Sequence, residues 1–82
     1  MTSSAQISIY PLRQEHLRPA IEFVRSSLEK QELAPEVGPM STIVTGESSA
    51  IFAALGEAFA KAAGDGQVVM TVTISNACPI PT

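Results

Sequence analysis

The sequence predicts an α+β fold, a four-stranded antiparallel sheet with two helices on one face, in the order strand, helix, strand, strand, helix, strand. Three observations predict it. Residues 68–75, VVMTVTIS, alternate apolar and hydroxyl side chains with the period of two expected of a strand with one buried face. Ile51, Ala54, Leu55, Ala58, Phe59 and Ala62 recur at helical spacing. Near the N-terminus, Ile7 and Ile9 alternate with Ser8 and Tyr10.

The first strand is expected over residues 6–10, with Ile7 and Ile9 toward the core and Ser8 and Tyr10 on the other side; Pro11 ends its ladder. A helix follows over residues 19–31. Pro19 suits its first turn, Ile21, Val24 and Leu28 share one face, and Glu22, Arg25 and Glu29 form a solvated face opposite. Residues 33–37 form a weak strand, and Pro35 within it suits a sheet edge. Gly38-Pro39 turns the chain into a third strand over residues 41–46, rich in β-branched side chains. Glu47-Ser48-Ser49 supplies a carboxylate and hydroxyl caps for the second helix, and Gly64-Asp65-Gly66 closes it. The last strand then runs into Ser75-Asn76-Ala77-Cys78-Pro79.

Two right-handed crossovers in this order place both helices on one sheet face, the ferredoxin-like βαββαβ sandwich. The first strand then lies between the third and fourth, antiparallel to both, with the second outside the third. Ser8, Tyr10, Thr71, Thr73 and Ser75 are left on a face that no helix covers.

Composition narrows the function classes. The chain has 82 residues and reads as one domain, small enough that oligomerisation is a common supplement to its stability. A single Cys excludes an internal disulfide, no Cys/His spacing suggests zinc, and a cytoplasmic setting is the simplest reading. The N-terminus reads as lacking a basic segment followed by an apolar one, and no apolar run approaches the roughly 20 residues that span a bilayer. Net charge is −3, with the five basic residues dispersed, which argues against nucleic acid as a partner.

The strand ISIYPL, the turn and strand GPMSTIVTGE, the helix SSAIFAALGEAFAKAA and the closing VVMTVTISNACP together resemble one domain of the YkoF family of thiamine- and hydroxymethylpyrimidine-binding proteins. The most specific parts are Ser41-Thr42 followed by Gly46, and Cys78-Pro79 after the last strand. The resemblance covers residues 5–79. It implies non-covalent binding of the pyrimidine portion of thiamine, in uptake or salvage of vitamin B1, with no catalysis, no cofactor, and a thiamine-precursor transporter as a further partner. Better characterised members carry two such domains in tandem, so two chains, as a homodimer or dimer of dimers, would replace the tandem here.

Thiamine joins an aminopyrimidine, which asks for paired donors and acceptors, to a cationic thiazolium, which favours an anion or aromatic face. Ser8, Tyr10, Ser41, Thr42 and Thr45 on the first and third strands offer such groups, with Ser41 and Thr42 expected beside Tyr10. Which parity of the third strand meets the ligand stays open, since Thr42/Val44 and Ile43/Thr45 are each mixed. Thr73, Ser75 and Asn76 come from the fourth strand, and Asn76 can donate and accept at once. Glu47 is either a counter-charge for the cation or a helix-start carboxylate, and Tyr10 either a stacking platform or an interface residue. His16 and Cys78 are the only pair resembling a base and nucleophile, and opposite strand ends separate them by roughly 20 Å within one chain. Two other classes stay open: a small cofactor-free enzyme on a dimeric scaffold, and a regulatory or assembly subunit without its own ligand.

Overall fold

The computed structural model describes residues 1–13, 18–64 and 66–77. Its elements are β1 (Thr2–Pro11), α1 (Arg18–Lys30), β2 (Glu36–Val37), β3 (Thr42–Glu47), α2 (Ser48–Gly64) and β4 (Val68–Ser75). The sheet order is β2-β3-β1-β4, every pair antiparallel. This is the expected ferredoxin-like α+β sandwich, with β1 inside and β2 on the outer edge. No helix among the described residues is long and apolar enough to cross a membrane.

Register assigns the faces. Ile7 stands between Thr42 of β3 and Val72 of β4, and Ala5 between Val44 and Ile74. Ala5, Ile7, Ile9 and Val44 are buried against Ala20, Val24 and Leu28 of α1 and Ile51, Ala54, Leu55, Ala58 and Ala62 of α2. The parity of β3 is thereby decided: Thr42 and Val44 face the helices, while Ile43 and Thr45 share the open face with Ser4, Gln6, Ser8, Thr71, Thr73 and Ser75.

Three elements differ from the sequence reading. β1 starts at Thr2, four residues earlier than expected, because Thr2-Ser3-Ser4 pairs with Thr45-Gly46-Glu47 of β3 although its small polar residues show no apolar alternation. Ser3 and Ser4 are both buried there, bonded through Oγ to Ser48 Oγ at 2.6 Å and Thr45 Oγ1 at 2.9 Å. β2 keeps only Glu36–Val37 of the expected residues 33–37. Phe59, expected on the buried stripe of α2, is 44% exposed. It lies about 80° around the helix from Ile51, beyond the line of contact that Ala58 and Ala62 occupy.

The end of α1 accounts for the shortened strand. Leu33 N–H donates to Leu28 O at 3.0 Å and Glu32 N–H to Glu29 O at 2.9 Å, the paired bonds of a Schellman closure. Glu32 takes the left-handed position, at φ 63°, that usually falls to glycine. The reversal carries Leu33 back over β3 at Gly46. A Cβ added to Gly46 would meet Leu33 Cδ2, so the end of the leucine side chain would have to turn aside from its place against the core.

Surface charge joins the two helices. Lys30 of α1 and Lys61 of α2 both reach Glu57 Oε1, at 3.1 and 3.0 Å, and on α1 Arg25 pairs with Glu22 and Glu29. Hydrogen bonds from Lys61 and then Lys30 hold the Glu57 carboxyl below the usual range, and the Arg25 hydrogen bond does the same to Glu22. Such lowered carboxyls help stability above the ordinary carboxylate range and lose that help as pH falls through their lowered values.

Two expectations follow for stability. Replacing Gly46 with Ala costs no more than about 1 kcal/mol of unfolding free energy, the cost of turning the end of Leu33 aside, and Leu33→Ala in the same chain removes that penalty; a denaturant double-mutant cycle measures both. Ser27, on the buried face of α1, is 1% exposed and its hydroxyl has no hydrogen-bond partner among the described residues. Ser27→Ala therefore raises stability by about 1 kcal/mol in the same assay, since an unpaired buried hydroxyl costs more than it returns.

Candidate functional site

β1 is longer than the strand beside it. Its ladder with β3 ends at Ile7 opposite Thr42, whereas its ladder with β4 continues to Pro11 opposite Val68. From Ser8 onward the β3 side of β1 therefore has no strand partner. The turn between β2 and β3 stands across the gap, closed by Gly38 N–H donating to Ser41 O at 2.8 Å. Two side chains bridge the sheet near the opening: Ser8 Oγ donates to Met40 O at 3.2 Å, and Gln6 Nε2 to Ser41 Oγ at 3.2 Å.

The gap is a cavity of about 300 Å³. Ile7, Ile9 and Thr42 line it from the helix side of the sheet, and Ser8, Tyr10 and Ser41 from the open side. Ile21 of α1 closes one wall, and Val37, Gly38, Pro39 and Met40 of the turn close another. Because the opening passes through the plane of the sheet, both parities of β3 contribute, which is why Ser41 and Thr42 are brought together. Thr42 is only 4% exposed, whereas Tyr10 is 45% exposed at the rim. Among the described residues, no lining side chain carries a charge. The described walls are mostly apolar, with hydroxyls from both faces of the sheet, an arrangement suited to a flat ring with polar edge groups.

Four of the sequence-predicted site residues, Ser8, Tyr10, Ser41 and Thr42, line this one cavity. Four others lie at the opposite end of the sheet. Ser75 pairs with Ser4 in register, whereas Tyr10 pairs with Val69, so Ser75 and Asn76 stand roughly 20 Å from Tyr10 along β1. They line a separate polar recess of about 220 Å³ with Thr2, Ser3, Ser4 and Thr45. Thr45 is bonded to Ser4, Asn76 Nδ2 donates to Met1 Sδ at 3.0 Å, and Glu47 nearby accepts from the Met1 amine at 2.7 Å. Thr73 sits between the two ends, opposite Gln6. One small ligand in one subunit cannot reach both groups. His16, Cys78 and Pro79 lie outside the described residues.

Ile9, Ile21, Val37 and Met40 were not expected in a site. Their apolar side chains read as ordinary core or turn residues, and only the mismatch in strand lengths makes them a wall. Among the described residues no three of His, Cys, Asp or Glu are grouped to hold a metal.

Solved structures of similar fold include a hypothetical protein from Methanocaldococcus jannascii, 24% identical, with a TM-score of 0.84 over 94% of this chain and 81% of that one. A Streptococcus pneumoniae protein is 28% identical, with a TM-score of 0.83 over 95% and 89%. A candidate thiamine biosynthesis or salvage protein from Thermotoga maritima is 21% identical, with a TM-score of 0.77 over 92% and 83%. No curated protein matches the sequence. The family model described as the YKOF-related family matches residues 2–81, the whole of the described sheet and both helices, and the chain belongs to that family.

Proposed function

We propose that the protein binds the pyrimidine portion of thiamine, or free hydroxymethylpyrimidine, in the cavity between Tyr10 and the turn at Gly38–Ser41, and serves uptake or salvage of the vitamin without transforming it. The observation that carries this reading is the largely apolar cavity, uncharged among its described lining residues, with hydroxyls from both faces of the sheet. Ile9, Ile21 and Met40 offer apolar contact to the ring faces, and the hydroxyls of Ser41 and Thr42 can each donate and accept toward a ring nitrogen or exocyclic amine. Tyr10, at the rim, can cover the ring or face a cationic thiazolium that projects outward. Among the described lining residues none is charged to offset the desolvation of a phosphate, which favours the neutral pyrimidine over phosphorylated forms.

Membership of the YKOF-related family and structural likeness to a candidate thiamine biosynthesis or salvage protein support the ligand class. Among the described residues the lining holds no Cys, His, Asp, Glu or Lys to serve as nucleophile or general base, which favours non-catalytic binding. In this reading a second copy covers the open sheet face, where Thr45, Thr71 and Thr73 are exposed, taking the place of a tandem domain. Ser75 and Asn76 could then join the site only from another subunit.

Calorimetric titration tests the assignment. Ser41→Ala and Thr42→Val are each expected to weaken hydroxymethylpyrimidine binding by about 1 to 3 kcal/mol, by leaving a ligand group unpaired. Ile21→Trp fills the cavity and should abolish binding while the protein stays folded; unchanged affinity in all three variants places the pocket elsewhere. Affinity for hydroxymethylpyrimidine should change less than about twofold as salt rises from about 0.05 to 0.5 M, since the ligand is neutral and the described lining offers no charged pair to be screened. Mass spectrometry of the ligand after long incubation should show it unaltered, and turnover would establish the enzyme reading instead.

A further inference from the structure

The ladder between β1 and β3 stops at the mouth of the cavity, and the alternation of strand hydrogen bonds says which main-chain groups are left facing it. In an antiparallel sheet the residues of an inner strand turn their N–H and C=O alternately toward one neighbour and the other. Two bonds just beyond the strand ends fix the phase. Ser48 N–H donates to Met1 O, one step past Thr2 opposite Glu47, so the odd-numbered residues of β1 bond toward β3. Leu12 N–H donates to Gln67 O, one step past Pro11 opposite Val68, so the even-numbered residues bond toward β4. Both registers run without a break.

Ile7 opposite Thr42 is therefore the last bonded rung on the β3 side, and Ile9 opposite Met40 would be the next. That rung is missing. Met40 stands 87% exposed, its carbonyl taken by Ser8 Oγ at 3.2 Å, and among the described residues no backbone bond joins Ile9 to the turn. Ile9 N–H and C=O thus point side by side into the gap, on a cavity-lining residue that is only 9% exposed. Main-chain groups so nearly buried call for a partner. Pro11, the next residue on the same side, has no N–H to offer. The open edge is one rung long, too short for a strand or an extended peptide, and it borders a space of about 300 Å³ that suits one planar ring.

We propose that the main chain of Ile9 is the group that reads the ligand ring: its C=O accepts from an exocyclic amine and its N–H donates to the ring nitrogen beside that amine. The ligand then supplies the rung that Met40 leaves out. This inference rests on the assignment of the cavity to a pyrimidine and names the edge by which the ring is held. The class of ligand is a small planar ring carrying an amine next to a ring nitrogen, because such an edge sets a donor beside an acceptor as a strand residue does. The Ser41 and Thr42 hydroxyls are left for the second amine hydrogen and for the polar groups on the rest of the ring. A ring without the amine leaves Ile9 C=O unpaired, and a site built to bond a polar group rejects the analogue lacking it far more strongly than an apolar pocket does.

Amide hydrogen exchange followed by NMR on the full chain tests it, with hydroxymethylpyrimidine and an analogue carrying hydrogen in place of the amine as probes. In the free protein the Ile9 amide is expected to exchange at least about tenfold faster than those of Ile7 and Tyr10, which are tied to β3 and β4. Saturating hydroxymethylpyrimidine should slow Ile9 at least about tenfold and move its amide resonance downfield, and in calorimetry the analogue should bind at least about tenfold more weakly. An Ile9 amide already as protected as Ile7 in the free protein overturns the proposal. So does hydroxymethylpyrimidine that binds and leaves the Ile9 amide unchanged, or an analogue that binds as tightly; either result leaves the cavity's assignment to the Ser41 and Thr42 variants. Absence of any calorimetric binding removes that assignment and this proposal together.

Discussion

The candidate site depends on a mismatch between neighbouring strands. β1 is paired on both sides only as far as Ile7, and beyond it on the β4 side alone. The unpaired stretch forces the turn before β3 to stand off from β1, and the space between them becomes the cavity. Ser8 and Gln6 bridge the two sides by donating to Met40 O and Ser41 Oγ. Backbone groups near an open ladder remain available to a ligand, so the same break creates both room and polarity.

Keeping the turn in place requires the far end of β3 to be anchored. Leu33, delivered by the closure of α1, lies over Gly46, while Glu47 and Ser48 are tied to the N-terminal residue: Ser48 N–H and Oγ both donate to Met1 O at 2.8 Å. β3 passes into α2 without a loop, so this anchor also sets where the second helix starts. Leu33 packs over Gly46 where α1 closes, and Ile21 of the same helix forms a wall of the cavity.

The polar residues of the sheet do two different jobs. At one end, hydroxyls line an apolar cavity; at the other, Ser3, Ser4, Thr45 and Ser48 bond among themselves and stitch β1 to β3 and α2. Both sets look alike in sequence, since a Ser or Thr on a strand gives no sign of whether its partner is a neighbour or a ligand. Their roles are separated by burial and partner geometry, which come from the register.

Read alone, the sequence determined the order of elements, the two helices, the face of β1 and β4 that is buried, and the pairing order that puts β1 in the middle, because apolar periodicity and crossover handedness are local and topological rules. It also placed Ser41 and Thr42 beside Tyr10, since antiparallel neighbours must bring the start of one strand to the end of the other. Tertiary structure decided what depends on register and packing. It lengthened β1 through Thr2-Ser3-Ser4 and turned Thr42 inward and Thr45 outward, whereas the place of Asn76 and Glu47 at the far end of the sheet follows from the same antiparallel rule. It exposed Phe59 and made walls of Ile9, Ile21, Val37 and Met40. One residue of register reverses every side chain on a strand, and no local pattern in a run such as STIVTGE specifies it. Only the partners on both sides of β1 do.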